Sequence, residues 1–243
     1  MRLRREQAER TPCPAAGGAA EQFGPGELTG LLALACLPVA LTAVLRHVWP
    51  GPALAGLHPE HASFARYALA SCVTLVAVWL VGGRARLRAH GLRLVLDAPR
   101  LGAGVLGFVA GLCVYALVEW LLWLVGWPAI TGMSYPAPGG SEIALLVACT
   151  VAIAPFAEEI LFRVLWIGAL GRRIRPPVAA AWAIALFAGL HYFHFGVGGV
   201  IFVSAWAVIP SALFLRFGDY TPGLVMHVLN NLFAYVLVPV LLR

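Results

Sequence analysis

The residues best suited to chemistry lie inside stretches of the chain that are otherwise apolar. An ionised side chain in hydrocarbon is costly, so such residues usually form pairs or belong to a functional site. The polar residues expected at membrane depth are Glu119, Glu158, Glu159, Arg163, His191, His194, His227, Asn230 and Asn231. These residues are the candidates for a site.

Two adjacent glutamates, Glu158 and Glu159, stand at the centre of this set. Neighbouring residues on a helix point about 100° apart, so the two are expected to divide the work. Glu159 and Arg163 have the i,i+4 spacing of a helical ion pair, which leaves Glu158 free for chemistry. A purely structural ion-pair cluster of all three residues is the alternative.

The later polar residues lie at comparable depths in the predicted helices. With a rise of 1.5 Å per residue, Glu158 and His191 come out roughly 20 and 22 Å from the cytoplasmic end. Asn231 and His227 come out at roughly 15 and 9 Å from the same end. A kink or tilt would then be needed to bring all four into one cavity.

Such a group of side chains is suited to peptide hydrolysis. Burial raises the pKa of a carboxylate towards the working pH, so that it can take a proton from water. An imidazole can orient the same water or protonate the leaving amine, and an amide can donate a hydrogen bond to the oxyanion. The sequence therefore predicts a hydrolase that needs no serine or cysteine nucleophile.

Three short motifs lie in order on successive apolar segments. They are EExxxR from Glu158 to Arg163, FxxxH from Phe187 to His191, and HxxxN from His227 to Asn231. Over roughly 142–235, the chain resembles the CPBP family, which comprises type II CAAX prenyl endopeptidases and their bacteriocin-processing and immunity relatives. The resemblance implies an intramembrane endopeptidase in which Glu158 activates water with His191 beside it. It also implies supporting partners and oxyanion stabilisers, which are Glu159 with Arg163, and His227 with Asn231.

A catalytic metal is the alternative to a metal-free glutamate mechanism. Three protein ligands and a water make a catalytic zinc site, and Glu158, His191 and His227 could supply the three. The resemblance is compatible with either chemistry, but the zinc-protease motif HExxH is absent. We therefore predict no metal and no other cofactor.

The elements that carry these residues are predicted to be transmembrane helices. Of the 243 residues, 61% are hydrophobic and 12% are charged, against about 25% charged in a soluble domain. The apolar segments run at about 28–48, 64–83, 101–126, 142–171, 177–195, 198–217 and 222–242. The fold class is accordingly an all-α polytopic bundle of about seven spans, or eight if Pro155 breaks the segment 142–171. Pro210 predicts a kink in the sixth segment, and Gly104, Gly107 and Gly111 predict a close-packing face on the third.

The charges predict the topology. All 17 basic residues are Arg, and they cluster before the first span and in alternate loops, whereas the loops near 49–63, 127–141 and 194–198 have almost none. Short Arg-rich loops stay cytoplasmic, so residues 1–26 are predicted to be a disordered cytoplasmic tail. Residues 27–243 form the membrane domain, with 142–235 as its catalytic core. A nucleic-acid partner is not expected, and the arginine usage is typical of a GC-rich bacterium, which indicates the inner membrane.

The predicted function is cleavage of a peptide bond near the C-terminus of a membrane-anchored or lipidated substrate. A non-catalytic immunity or scaffold protein is the first alternative, because a polar cluster can also hold helices together. A proton-coupled transporter using Glu119, Glu158 and the histidines is the second. The absence of internal repeats disfavours the transporter. Glu119 lies outside the motifs and is expected to make a structural hydrogen bond.

Overall fold

The computed structural model describes residues 22–48, 57–127 and 139–241, which form helices joined by short connections. In chain order, the helices are α1 Pro25–Val48, α2 Pro59–Gly82, α3 Arg84–Ala89, α4 Ala98–Leu124, α5 Glu142–Arg172, α6 Pro176–Leu190, α7 Tyr192–Phe217 and α8 Thr221–Leu241. Six of them are long and apolar enough to cross a membrane, and α6 is a shorter apolar helix. The predicted polytopic helical bundle is confirmed.

Local sequence explains where these helices start and stop. Proline, which has a fixed φ and no N–H to lose, occupies the first turn of α2, α4, α6 and α8. The Asp97 carboxylate accepts the backbone N–H of Arg100 at the start of α4. Gly83 and Gly218 follow α2 and α7 with φ of 70°, a conformation that favours glycine.

The connection between α6 and α7 differs from the prediction. The sequence predicted a helix over 177–195 and a loop near 194–198, but α6 ends at Leu190 and α7 begins at Tyr192. The predicted helix end at 195 was wrong, because apolar residues continue through the junction at His191, but the break predicted near 194–198 is present at Gly196. Gly196 has non-helical backbone angles (φ 63°), so the first turn of α7 is set off from the rest by a kink. Pro210 lies inside α7.

The segment 142–171 is one run of helix with widened turns. π-Helical stretches at Val147–Ile153 and Glu159–Ala169 flank a short α-helical piece that contains Pro155. Proline removes one backbone donor and crowds the preceding turn, so a widened turn before it relieves the clash. The described residues therefore contain no eighth span from a break in this segment. Wide turns of this kind often occur at functional sites.

Helix α5 occupies the centre of the bundle. In its apolar 18-residue stretch, 67% of the residues are buried, against 22% in the corresponding stretches of α1 and α4. Helices α2, α6 and α8 pack around it, and exposed large apolar side chains such as Trp79, Leu106 and Trp123 lie on the outer helices. The outer helices thus shield the middle of α5, which carries Glu158, Glu159 and Arg163.

The glycine face of α4 packs as predicted. A Cβ added at Gly104 would lie 2.6 Å from Val225, and one at Gly107 would lie 3.1 Å from Met226 Sδ. At Gly111 it would approach Trp206 Nε1 at 3.0 Å. Small residues let helix backbones approach closely, so this face holds α7 and α8, and therefore His227, in position.

The arginine-rich segments gather on one face of the bundle. Arg86 pairs with Glu27 at 3.0 Å, and Arg100 pairs with Asp219 at 2.7 Å. Arg172 donates to the carbonyl of Ala89. These contacts join α3 to the start of α1 and to the end of α5, and join the start of α4 to the α7–α8 connection. The predicted tail 1–26 and the loops 49–63 and 127–141 fall largely outside the described residues, so those assignments stay predictions.

Candidate active site

Glu158 lies in the interior of the bundle and is held by two other helices. Its side chain belongs to the α-helical piece of α5 between the two π-helical stretches and is 6% exposed. The Tyr67 hydroxyl of α2 donates a hydrogen bond of 2.7 Å to Oε1. Nε2 of His227, from α8, lies 3.4 Å from Oε2. Side chains from three helices therefore meet at this carboxylate.

Glu159 and Arg163 form the predicted ion pair. Arg163 Nε lies 3.4 Å from Glu159 Oε2, and both side chains are fully buried. The guanidinium also lies over the ring of Phe187 at 5.2 Å. None of the Arg163 nitrogens has a hydrogen-bond partner among the residues that the structure describes, so the pair and the ring carry its stabilisation.

Gly223 makes room for the Glu159 carboxylate at the surface of α8. A Cβ added at Gly223 would lie 2.7 Å from Glu159 Oε2 and 3.4 Å from Pro210. No side chain larger than hydrogen fits there without movement of the carboxylate. The position of Glu159 thus depends on a glycine in a different helix.

His227 lies between the two glutamates. Its Nδ1 is 3.1 Å from Glu159 Oε1, and its Nε2 is 3.4 Å from Glu158 Oε2. Both adjacent glutamates reach His227, because the imidazole presents a different nitrogen to each.

His191 occupies the junction between α6 and α7 and is more accessible than Glu158. Its Nδ1 lies 2.7 Å from the carbonyl oxygen of Phe187. A donor on Nδ1 leaves Nε2 as the acceptor of a neutral imidazole. The ring is half-buried and lies within electrostatic reach of Glu158, His227 and Arg163. FxxxH thus positions its histidine through a backbone carbonyl one turn earlier.

Asn231 closes the site on the side of the first π-helical stretch. Its Nδ2 donates a 2.8 Å hydrogen bond to the carbonyl of Thr150, and its Oδ1 accepts from Asn230 Nδ2 at 3.3 Å. An amide nitrogen carries two hydrogens, so one remains for a substrate. Asn230, which had no predicted role, orients this amide.

Two candidates lie outside this cluster. Glu119 hydrogen-bonds with Tyr115 on its own helix, as expected for a structural role. The exposed His194 packs its ring against Phe64 and Phe195. Glu119 and His194 therefore lie outside the cluster at α5. The cluster consists of four residues in mutual contact: Glu158, Glu159, Arg163 and His227.

Sequence reasoning missed three residues that shape the site. Tyr67 hydrogen-bonds Glu158, Trp206 packs its ring 4.9 Å from that of His227, and Gly223 gives Glu159 its space. None lies in a recognised motif. The only signal for Tyr67 is a hydroxyl in an apolar helix, which buried tyrosines usually satisfy with a partner.

The three alternative metal ligands, Glu158, His191 and His227, make other contacts in this arrangement. Within the described ranges, no group of three His, Cys, Asp or Glu residues is placed to hold a metal ion. Both nitrogens of His227 are directed at glutamates, and Nδ1 of His191 is directed at a carbonyl. Glu158, His191 and His227 would have to move before they could act together as ligands.

Residues 140–233 match a family model described as type II CAAX prenyl endopeptidase Rce1-like. No curated protein and no solved structure matches the chain. The match confirms the resemblance to CPBP-type intramembrane proteases that the three motifs indicated, and it includes every residue of the cluster except Tyr67. With six apolar spans, the chain is an integral membrane protein, and the family supports a protease of the CAAX type.

Proposed function

We propose that this protein hydrolyses a peptide bond near the C-terminus of a membrane-anchored or lipidated substrate, using water that Glu158 activates. The observation that carries the proposal is the setting of Glu158. Its carboxylate is buried, hydrogen-bonded by Tyr67 and adjacent to His227, while the half-buried His191 lies within electrostatic reach. A purely structural ion pair between Glu159 and Arg163 would not require Glu158 beside it, nor the half-buried His191 nearby.

The proposed reaction moves one proton through Glu158. Glu158 takes a proton from water as the oxygen attacks the scissile carbonyl carbon, and His191 Nε2 accepts a hydrogen bond from the same water. The second amide hydrogen of Asn231 stabilises the oxyanion. The C–N bond then breaks, and Glu158 returns the proton to the leaving amine. The products are a carboxylic acid and an amine, so no metal or cofactor enters the balance.

Glu159 and Arg163 position the machinery in this scheme. Glu159 accepts the Nδ1 proton of His227, which leaves Nε2 directed at Glu158. Arg163 supplies the counter-charge for Glu159 in a dry environment. Glu159 therefore fixes the orientation of the His227 ring beside Glu158.

The partners and location are part of the same proposal. The substrate is embedded in or tethered to the bilayer, because the glutamates lie in the middle of a membrane-spanning helix. The arginine-rich face is cytoplasmic by the positive-inside rule. We place the protein in a bacterial inner membrane with its N-terminus in the cytoplasm.

Cleavage of candidate membrane-tethered peptides by purified full-length protein tests the proposal. Glu158→Gln keeps the size of the side chain and removes the base, so we expect kcat to fall by a factor on the order of 10² to 10⁴. Glu119→Gln is the matched control because it changes a second membrane glutamate outside the cluster. It should retain activity within about twofold, a small change for a group without a catalytic role.

Three outcomes would contradict the proposal. Equal activity of Glu158→Gln and wild type would show that Glu158 is not the general base. Loss of thermal stability in Glu158→Gln in proportion to the lost activity would assign the cluster to a scaffold. Loss of cleavage after dialysis against a tight chelator, with recovery on adding zinc, would show that a metal ion, and not Glu158 alone, activates the water.

A further inference from the structure

A cavity lined by both apolar and charged residues lies away from the glutamate cluster, at the arginine-rich face. A cavity of about 270 Å³ is enclosed by α2, α3, α5 and the α7–α8 connection. None of the candidate catalytic residues lines it. The residues that matter for its chemistry are Leu75, Val78, Arg84, Arg88, Phe156 and Tyr220.

The interior of this cavity is suited to an acyl chain. Val78 is buried on its wall, and Phe156 packs edge-on against Tyr220 at 6.0 Å. Phe156 is 39% exposed, so the cavity is open to the surface at this wall. At about 30 Å³ per water-sized group, the volume takes roughly nine such groups. That is one chain segment and not a folded peptide.

The rim carries two arginines that no group among the described residues neutralises. Arg84 and Arg88 are exposed, and neither side chain forms an ion pair or hydrogen bond with any residue that the structure describes. The nearest arginines differ in this respect: Arg86 pairs with Glu27 and Arg100 pairs with Asp219. Two unpaired guanidinium groups over an apolar cavity are complementary to an anionic headgroup on an acyl chain.

Tyr220 supplies a further donor at the same place. The residue is 4% exposed, and its hydroxyl forms no hydrogen bond within the described part of the chain. Burial, followed by the Asp219 charge, raises the pKa of the Tyr220 hydroxyl, so it stays protonated and can donate. Asp219 does not compete for the arginines, because its carboxylate is held by Arg100 and by the N–H of Thr221.

We propose that the cavity binds an anionic phospholipid, with one acyl chain between α2 and α5 and the phosphate at Arg84, Arg88 and Tyr220. Cytoplasmic leaflets are rich in anionic lipid, which attracts basic residues at the membrane surface. Phe156 and Ile160 flank the two glutamates in sequence and line the cavity. A bound chain therefore packs against the outer side of the helix that presents Glu158. The binding itself does not depend on the proposed hydrolysis.

Native mass spectrometry of the full-length protein in detergent, titrated with phosphatidylglycerol or phosphatidylcholine of the same chains, tests this site. We expect the anionic lipid to bind at least tenfold more tightly. Arg84→Gln with Arg88→Gln should reduce that preference about tenfold. The control, Arg175→Gln with Arg216→Gln, removes the same charge from the same face at residues that do not line this cavity, and should change binding less than twofold.

A cavity-filling variant separates the chain from the headgroup. Leu75→Trp keeps both arginines and occupies the space, so it should lose anionic-lipid binding while wild-type thermal stability is retained. Photoactivatable phosphatidylglycerol should label Phe156 or Ile160 in the unmodified protein, which needs no variant to fold. Equal binding of the two lipids, equal losses in the two arginine variants, or labelling confined to other helices would each overturn the proposal.

Discussion

Two membrane glutamates of this chain each pair with a tyrosine, but in different ways. Glu119 hydrogen-bonds with Tyr115 one turn away on α4, whose apolar stretch is 22% buried. Glu158 receives the Tyr67 hydroxyl from another helix and lies on α5, whose apolar stretch is 67% buried. The first contact is local and satisfies a carboxylate near lipid. The second depends on the packing of three helices, and only that arrangement places a histidine and a second carboxylate beside the first.

The same contrast holds for ion pairs. Glu159 and Arg163 are fully buried, whereas the Glu27 and Arg86 side chains are 47% and 28% exposed. Breaking a buried pair leaves a charge without solvent, and breaking a surface pair does not. The two pairs and the two glutamates therefore provide matched comparisons between the centre and the periphery.

The largest effect is expected at His227. Replacing His227 with Ala removes the group between both glutamates, and kcat should fall by a factor on the order of 10³. Asn230→Ala, one turn further along the same helix, should reduce kcat no more than about tenfold because it only orients Asn231. Single-turnover cleavage measures both rates. Equal losses in the two variants would show that α8 as a whole, and not His227, determines activity.

Arg163→Met should destabilise the fold by about 3–5 kcal/mol, because Glu159 would be buried without its counter-charge. Arg86→Met at the surface pair should cost less than about 1 kcal/mol. Chemical unfolding in micelles measures both free energies. Adding Glu159→Gln to Arg163→Met should restore part of the stability, as a coupled pair requires. A double variant as unstable as the sum of the single changes would mean that the pair is not coupled.

Tyr67→Phe tests the hydrogen bond to Glu158. A hydrogen bond to a charged group contributes about 1.5–3 kcal/mol, so kcat should fall roughly 10- to 100-fold. Tyr115→Phe, at the peripheral glutamate, should leave the rate unchanged. A rise in KM with unchanged kcat in Tyr67→Phe would show that Tyr67 binds substrate and is not a catalytic partner of Glu158.

The smallest effect is expected at Gly223. Gly223→Ala places a methyl group against Glu159 and should destabilise by about 1–3 kcal/mol through overpacking. Gly102→Ala, which has open space at its Cβ, should stabilise slightly, because alanine favours helix over glycine. Thermal unfolding of the two variants checks the pair. Equal stabilities would indicate that Glu159 moves aside at no cost.

The sequence predicted the helices and their polar residues better than the contacts that bring those residues together. Apolar runs of about 20 residues and three motifs identified the helices and their polar residues, because hydropathy and i,i+4 spacing are local properties. The contact between Tyr67 and Glu158 links residues 91 positions apart, so no local pattern contains it. The break at His191 was hidden by continuous apolar sequence, and the position of His227 between two glutamates depends on the widened turns of α5.

An experimental structure of the full-length protein in a bilayer mimetic, with metal analysis of the same sample, tests the central proposal most directly. The account predicts one ordered water within hydrogen-bond distance of both a Glu158 oxygen and His191 Nε2, in a sample without stoichiometric metal. A dry cluster in which His191 turns away from Glu158, or a metal ion bound by Glu158, His191 and His227, would contradict it.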